Sequence, residues 1–397
     1  MRAGDLLSEE DRALTVQARG ALEGLAHEEP APGDHAAEDA QARRLLARLA
    51  GSGLLEHLIP SEHRANRKGT LSVRALCVLR EELARIEGTA DVVFVMQGLG
   101  SCAIALAGSA SLQARWLSAV ARGEAIAAIA MTEPEAGSDL GAMSTRARRE
   151  GGHYVLDGAK TYISNAGLAD FYTVFARTSD EPRGLSAFVV EAKQPGLKVT
   201  ARLTISAPHP IGSLAFDGCR VPASQRLGEE GDGFALAMRV LERFRPTVGA
   251  AANGMALRAL EESIARAKER RQFGRPIAEF QAIRFKLADM ALRLEASRLM
   301  VLRAAALVDA AALHAGAGQA SDPARGRASA MAKLFATEAA QETIDDAVQI
   351  HGALGVTRGC IIERLYREVR ALRIYEGTSE IQRAVIARSI LAEQPGS

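Results

Sequence analysis

A mainly helical chain carrying a β domain in its middle is the fold class that this 397-residue sequence predicts, and three observations carry it. Residues 1–127 are rich in alanine and leucine at helical spacing. Residues 128–232 change to short β-like runs separated by turn pairs. From 233 to 397 long amphipathic patterns return, of a length that suits a four-helix bundle. The expected order is an N-terminal helical domain, a small middle β-sandwich or barrel, and a C-terminal helical bundle.

In the first region, the polar and proline-bearing stretch "HEEPAPGDHAAED" reads as a loop between helices. In the second, "HYVL", "FYTVFAR", "LSAFVVEA", "LKVTARL" and "SLAFDGCRV" read as antiparallel strands, with turns at Asp157-Gly158, Pro195-Gly196 and Asp217-Gly218. In the third, long amphipathic segments recur, and "HAGAGQASDPARG" reads as the loop between two of the bundle's helices. Near the end, Ile362, Leu365, Tyr366, Val369 and Leu372 mark one helix, and Ile381, Val385, Ile386 and Ile390 mark the next. Ser379 with Gln382 reads as a capping box, so Gly377 and Thr378 form the break and Glu376 sits at the corner. A carboxylate there opposes the dipole of the helix that ends and suits the N-terminus of the one that begins.

Composition narrows the function. With 49 Lys+Arg against 48 Asp+Glu, the formal charge of +1 gives no electrostatic case for nucleic acid or an anionic membrane surface as a partner. Apolar runs such as "AIAAIAM" at 125–131 fall far short of the roughly 20 residues of a spanning helix, so no membrane segment is expected. The start "MRAGDLLSEEDR" has acidic residues where a secretory signal needs its apolar stretch, and the expected location is cytoplasmic. Cys77, Cys102, Cys219 and Cys360 are widely spread and no histidines show ligand spacing, so no metal site is expected.

Four short stretches bear on chemistry. "GLGSCA" at 98–103 nominally fits the glycine turn of a nicotinamide-dependent dehydrogenase, but its flanks are helical, and it reads as small residues packing inside a helical domain. "AMTEPEAGSDLG" at 130–141 and "KTYISNAG" at 160–167 offer hydroxyls and backbone N–H groups able to line a ring system or pyrophosphate. "RIYEGTSEIQR" at 373–383 offers the Glu376 carboxylate. A non-catalytic helical binding protein is the bland alternative.

"AMTEPEAGSD", "ERRQFGRPIAEFQ", "QIHGALG" and "IYEGTSEIQR" recur in this order in acyl-CoA dehydrogenases, and the chain resembles that family over nearly its whole length. The resemblance implies a three-domain fold, non-covalent FAD, an acyl-CoA thioester substrate, an electron-transfer flavoprotein as oxidant, and a homotetramer built as a dimer of dimers. By position, it implies flavin contacts at Met131, Thr132, Ser138, Tyr162 and Ser164, with Ser138 also near the pantetheine chain. Arg270, Gln272, Phe273 and Gln281, with Gln349 and Gly352, match side chains that reach FAD from a neighbouring subunit, and Thr378 and Glu380 match positions closing the site around FAD. Glu242 and Arg245 of "LERFRP", with Tyr375 and Gly377, match substrate contacts.

Glu376 resembles the family's catalytic base, which takes the α proton of the thioester so that a trans-2,3 double bond forms. A second family position for that base is matched here by Phe244, which cannot take a proton. Tyr162 stands where many members have tryptophan, and Ala353 replaces a second glycine after Gly352. Retention of Glu376 sets the chain apart from monooxygenase relatives, while an acyl-CoA oxidase or an acyl-carrier-protein thioester dehydrogenase stays open. "ADVVFVMQGLGS" at 90–101 is expected to line part of the acyl pocket, with Asp91 as a helix N-terminal residue rather than a second pocket carboxylate.

Overall fold

The computed structural model describes residues 7–25, 27–60, 72–314 and 323–392. Its first part is helical: α1 (Glu9–Ala21), α2 (His35–Gly51), a 3₁₀ turn (Leu54–Leu58), α3 (Val73–Ile86), α4 (Gly88–Ala107) and α5 (Ala110–Ala121). Side-chain oxygens of Ser8, Asp34, Ser72 and Ser109 accept hydrogen bonds from backbone N–H groups of the first turns they precede, which sets where those helices begin. Asp34 caps α2, so the predicted loop ends there and His35 onward is helix.

Helix α4 is the centre of this part. Gly98 and Gly100 lie mid-helix, not in a turn, which removes the dinucleotide-binding reading of "GLGSCA". A Cβ on Gly100 would meet the Ala127 side chain and the Ala128 backbone at 2.7 Å, and one on Gly98 would meet Leu58 at 2.8 Å. These glycines let α4 press against its neighbours. At 20 residues α4 is by length and composition apolar enough to cross a membrane, a point that reading only uninterrupted apolar runs misses, but most of it is buried inside the fold.

The middle part is an eight-stranded sheet: β1 (Ala127–Ala130), β2 (Arg146–Glu150), β3 (His153–Ser164), β4 (Phe171–Arg177), β5 (Leu185–Glu191), β6 (Leu197–Arg202), β7 (Ile211–Pro222) and β8 (Arg226–Leu227). Strand order is β6-β7-β3-β2-β4-β5-β8, with β1 on β4. Pairing is largely antiparallel, but β1 runs parallel to β4, which the expectation of an all-antiparallel domain did not include. Of the three predicted turns only Pro195-Gly196 links two strands, β5 and β6. Asp157-Gly158 and Asp217-Gly218 are facing irregularities inside β3 and β7, where Gly218 N donates to Asp157 Oδ1 at 2.7 Å. There the Asp-Gly signal marks a bulge, because a bulge also calls for a special backbone geometry that glycine supplies.

The last part holds α6 (Gly233–Glu269), a hairpin of β9 (Arg271–Gln272) and β10 (Arg275–Pro276), α7 (Gln281–His314), α8 (Pro323–His351), α9 (Ile361–Leu372) and α10 (Ser379–Ala392). Helix α8 packs on α6, α7 and α10, and α3 packs across α6. The loop expected in "HAGAGQASDPARG" falls largely on 315–322, outside the described residues, and from Pro323 the chain is already helical. Helix α10 is capped by Thr378, whose Oγ1 accepts from Ile381 N at 3.3 Å, and not by the Ser379–Gln382 box. Gln382 instead turns its side-chain amide to the carbonyls of Glu376 and Gly377, at 3.2 and 3.0 Å.

Candidate active site

The corner between α9 and α10 is strained and pinned. Glu376 has φ +54° and Gly377 +94°, both left-handed, and such a conformation costs a non-glycine residue about 1–3 kcal/mol. Four contacts hold it. Arg245 Nε of α6 donates to Glu376 O at 3.3 Å, the Gln382 amide bonds both carbonyls, and Lys333 Nζ of α8 donates to Gly377 O at 2.9 Å. The carbonyls are engaged, while the side chain keeps a buried Oε2 with no hydrogen-bond partner among the described residues. Burial pushes the Glu376 carboxyl up to about 7, although Arg80, Lys333 and Arg245 pull it down.

Lys333 is wholly buried, at 0 % exposure, and burial holds its ammonium down to about 8 against the pull of Glu376. It belongs to the site and the motif reading passed over it. A signal was present, since Ser329, Lys333 and Thr337 recur every four residues on the buried stripe of α8. Arg245 is also buried, and that burial lowers its pKa.

Beneath the corner lies an ion pair. Arg80 of α3 and Asp91 of α4 are each 1 % exposed, and Arg80 Nε and Nη2 donate to Asp91 Oδ1 and Oδ2, both at 2.7 Å. Asp91 does sit in the first turn of α4, as expected, and its carboxylate is fully engaged by Arg80. Tyr375 adjoins Glu376 and is 37 % exposed. Glu242 is turned to Arg325, at 2.9 Å. Phe244 is packed with its ring facing Gly98, where a Cβ would lie 3.0 Å from it.

A second group sits on the sheet. Thr161 N donates to Thr132 O at 2.9 Å, tying the Met131–Thr132 segment to the part of β3 that carries Tyr162 and Ser164. Tyr162 is left-handed, at φ +54°, and 63 % exposed. Ser164 Oγ lies 3.2 Å from Nε2 of His209, whose burial holds it neutral with a pKa near 4. Ser138 is exposed.

The frame of this loop is a residue the motif reading quoted without assigning. Glu133 accepts from Ser144 N (2.6 Å), Ser144 Oγ (2.8 Å), Thr145 N (3.1 Å) and Lys160 Nζ (2.7 Å). Burial pushes its carboxyl up, but Lys160 and these donors outweigh it and hold it at about 2.

The third group is presented outward. Arg270 caps the end of α6, and Gln272 and Phe273 lie on the β9–β10 hairpin that follows, where Phe273 is left-handed at φ +51° and 92 % exposed. Gln281 at the start of α7, Gln349 on α8, Gly352 just after α8 and Glu380 on α10 are exposed as well. Within one chain the structure therefore gathers Arg245, Tyr375, Glu376 and Gly377 into a single corner, and turns the hairpin residues away to solvent.

Models of the acyl-CoA dehydrogenase N-terminal, middle and C-terminal domains match residues 8–124, 128–219 and 231–391. A probable acyl-CoA dehydrogenase, FadE25, of Mycobacterium tuberculosis is 41% identical over 382 residues, 94% of either chain. Butyryl-CoA dehydrogenase from Megasphaera elsdenii superposes with a TM-score of 0.87 at 29% identity, over 97% of this chain and 99% of that one. An FAD complex of PigA superposes with a TM-score of 0.85 at 28% identity, over 97% and 98%.

Proposed function

The chain belongs to the acyl-CoA dehydrogenase family of FAD-dependent oxidoreductases, and on that premise we propose that it introduces a 2,3 double bond into an acyl-CoA thioester, with Glu376 as the base that takes the α proton. The observation that carries this reading is the Glu376 corner: its backbone carbonyls are pinned by Arg245, Gln382 and Lys333 while one carboxylate oxygen is buried with no hydrogen-bond partner among the described residues. A carboxyl with a pKa near 7 is matched to proton transfer at neutral pH, and its fixed corner removes the entropy of searching for the substrate. The Glu376 backbone N–H is assigned to the thioester carbonyl, whose polarisation makes the α C–H acidic enough to yield its proton.

The residues present fit FAD. Thr132, Ser138 and Ser164 offer hydroxyls, Tyr162 offers an exposed aromatic face, and Arg270 offers an exposed guanidinium suited to a pyrophosphate. Bound FAD supplies the acceptor for the two electrons released at the β carbon. Electron-transfer flavoprotein is the proposed partner that reoxidises it.

The experiment that tests the whole reading is an absorption spectrum followed by anaerobic titration. Purified protein is expected to carry a yellow flavin that bleaches with one of a panel of acyl-CoA thioesters. A colourless protein that takes up no FAD overturns it, and bleaching by acyl-carrier-protein thioesters alone moves the substrate class.

The outward hairpin supports a site shared between copies of the chain. Phe285, Leu292 and Leu299 recur every seven residues along α7 and are all exposed, an apolar stripe of the kind that covers itself in an assembly. We therefore place Arg270 and Phe273 against the FAD of a second copy, in a homotetramer. Arg270→Ala is expected to lose FAD on dialysis and Phe273→Ser to lose FAD and assembly together, followed by flavin content and sedimentation velocity. Retention of FAD by a monomeric Phe273→Ser protein would contradict the shared site.

A further inference from the structure

We infer that the buried Arg80–Asp91 pair is a positioning device for the Glu376 base, anchoring the α6 segment whose Arg245 holds the Glu376 carbonyl and setting the electrostatic field at the carboxylate. The inference rests on the reading of Glu376 as base. Its geometric ground is that one guanidinium joins three helices, among them the α6 helix that carries Arg245. Arg80 itself is on α3, its Nε and Nη2 hold Asp91 of α4 at 2.7 Å, and its Nη1 donates to Thr247 Oγ1 of α6 at 2.8 Å. Thr247 lies two residues past Arg245, whose Nε holds the Glu376 carbonyl.

Fold stability alone is a weak reason for such a pair. Taking two charges out of water costs much of what their attraction returns, and apolar residues of similar volume often serve a core as well. The position under the site supplies a different reason. The charged and titratable groups facing Glu376 are Arg80 from α3, Asp91 from α4, Arg245 from α6, Lys333 from α8 and the adjoining Tyr375. Cys77, one turn before Arg80, faces that guanidinium as a neutral thiol whose burial raises its pKa. Arg80 favours the Glu376 carboxylate and Asp91 opposes it. The two members of the pair therefore act on the base with opposite signs, which a merely structural role cannot imitate.

The test uses FAD-loaded protein and two readouts: the pH profile of anaerobic flavin reduction, and titration of the carboxylic-acid infrared band that Glu376→Gln deletes. Arg80→Gln is expected to raise both midpoints by about one pH unit, and Asp91→Asn, the weaker influence on the carboxylate, to lower them by less. The neutral double variant Arg80→Gln/Asp91→Asn is expected to shift upward from the parent by less than about one pH unit, with a reduced plateau rate because the α6 segment carrying Thr247 and Arg245 loses its charged anchor. Should a single variant leave its buried charge uncompensated and fail to fold, the double variant decides by that shift and plateau. Single-variant shifts of the same sign, or a double variant with the parent's midpoint and plateau, overturn the inference. If Glu376→Gln itself keeps the parent rate, it is the base assignment that fails instead.

Discussion

Glu376→Gln is expected to lower acyl-CoA-driven flavin reduction by about 10²–10⁴-fold, the range for loss of a general base, with FAD content close to the parent's. Glutamine preserves the shape of the corner, because the contacts pinning it are to the carbonyls of residues 376 and 377 rather than to the carboxylate. The base must be deprotonated to act, so the parent's rate should climb as pH rises through about 7, and the variant's residual rate should be flat there. Stability should move the other way. A carboxyl raised from 4.5 to about 7 in the fold binds more protons folded than unfolded between those values, so its ionisation weakens the fold as pH rises across them. The variant should thus melt higher than the parent at pH 8 and show no such gain at pH 4. Rate loss accompanied by a gain in melting temperature at pH 8 separates a lost base from a damaged fold. A near-parent rate with a good substrate overturns the assignment.

How much of this was legible in the sequence depends on the range over which each feature is decided. The break at Gly377 and Thr378 is local, carried by where one apolar stripe ends and the next begins, and the structure places it there. The cap was misplaced by one residue, because Thr378 and Ser379 are both competent and only the path of the chain chooses. Asp157-Gly158 was misread for a similar reason: the pair states that a special backbone geometry is needed, not that the chain reverses. The Lys333, Arg80 and Glu133 networks join residues 44, 11 and 27 positions apart in the chain, and no periodicity carries such a pairing. What a sequence can show is the anomaly of a charge on a buried stripe. For Lys333 that anomaly was present in the spacing of α8. Arg80, flanked on α3 by Cys77, Val78, Leu79 and Leu83, is the same kind of signal.

Glu133→Ala is expected to destabilise the protein by about 3–5 kcal/mol at pH 7, the range for removing one partner of a buried ion pair. Glu133 is 3 % exposed and Lys160 0 %, so the substitution strands an ammonium with only the Met131 carbonyl, 3.1 Å away, as a strong partner. The two partners titrate in opposing senses. Glu133, at about 2, speaks for a favourable pair, whereas Lys160, pushed by burial down to about 8, speaks for a costly one. The geometry favours the pair, because Glu133 also satisfies the N–H and hydroxyl of Ser144 and the N–H of Thr145, which Lys160 has no means to do. A carboxyl lowered from 4.5 to about 2 contributes stability that is fully present above 4.5 and lost as pH falls through 2. The gap between parent and variant should therefore be full at pH 7, reduced at pH 3, and closed further below. Denaturant unfolding at both pH values measures it. The loop from Met131 to Ser144 should loosen with the substitution, so weaker FAD retention at pH 7 should accompany the lost stability. A variant as stable as the parent at pH 7, or a gap that does not change with pH, would show that the pair does not frame the loop.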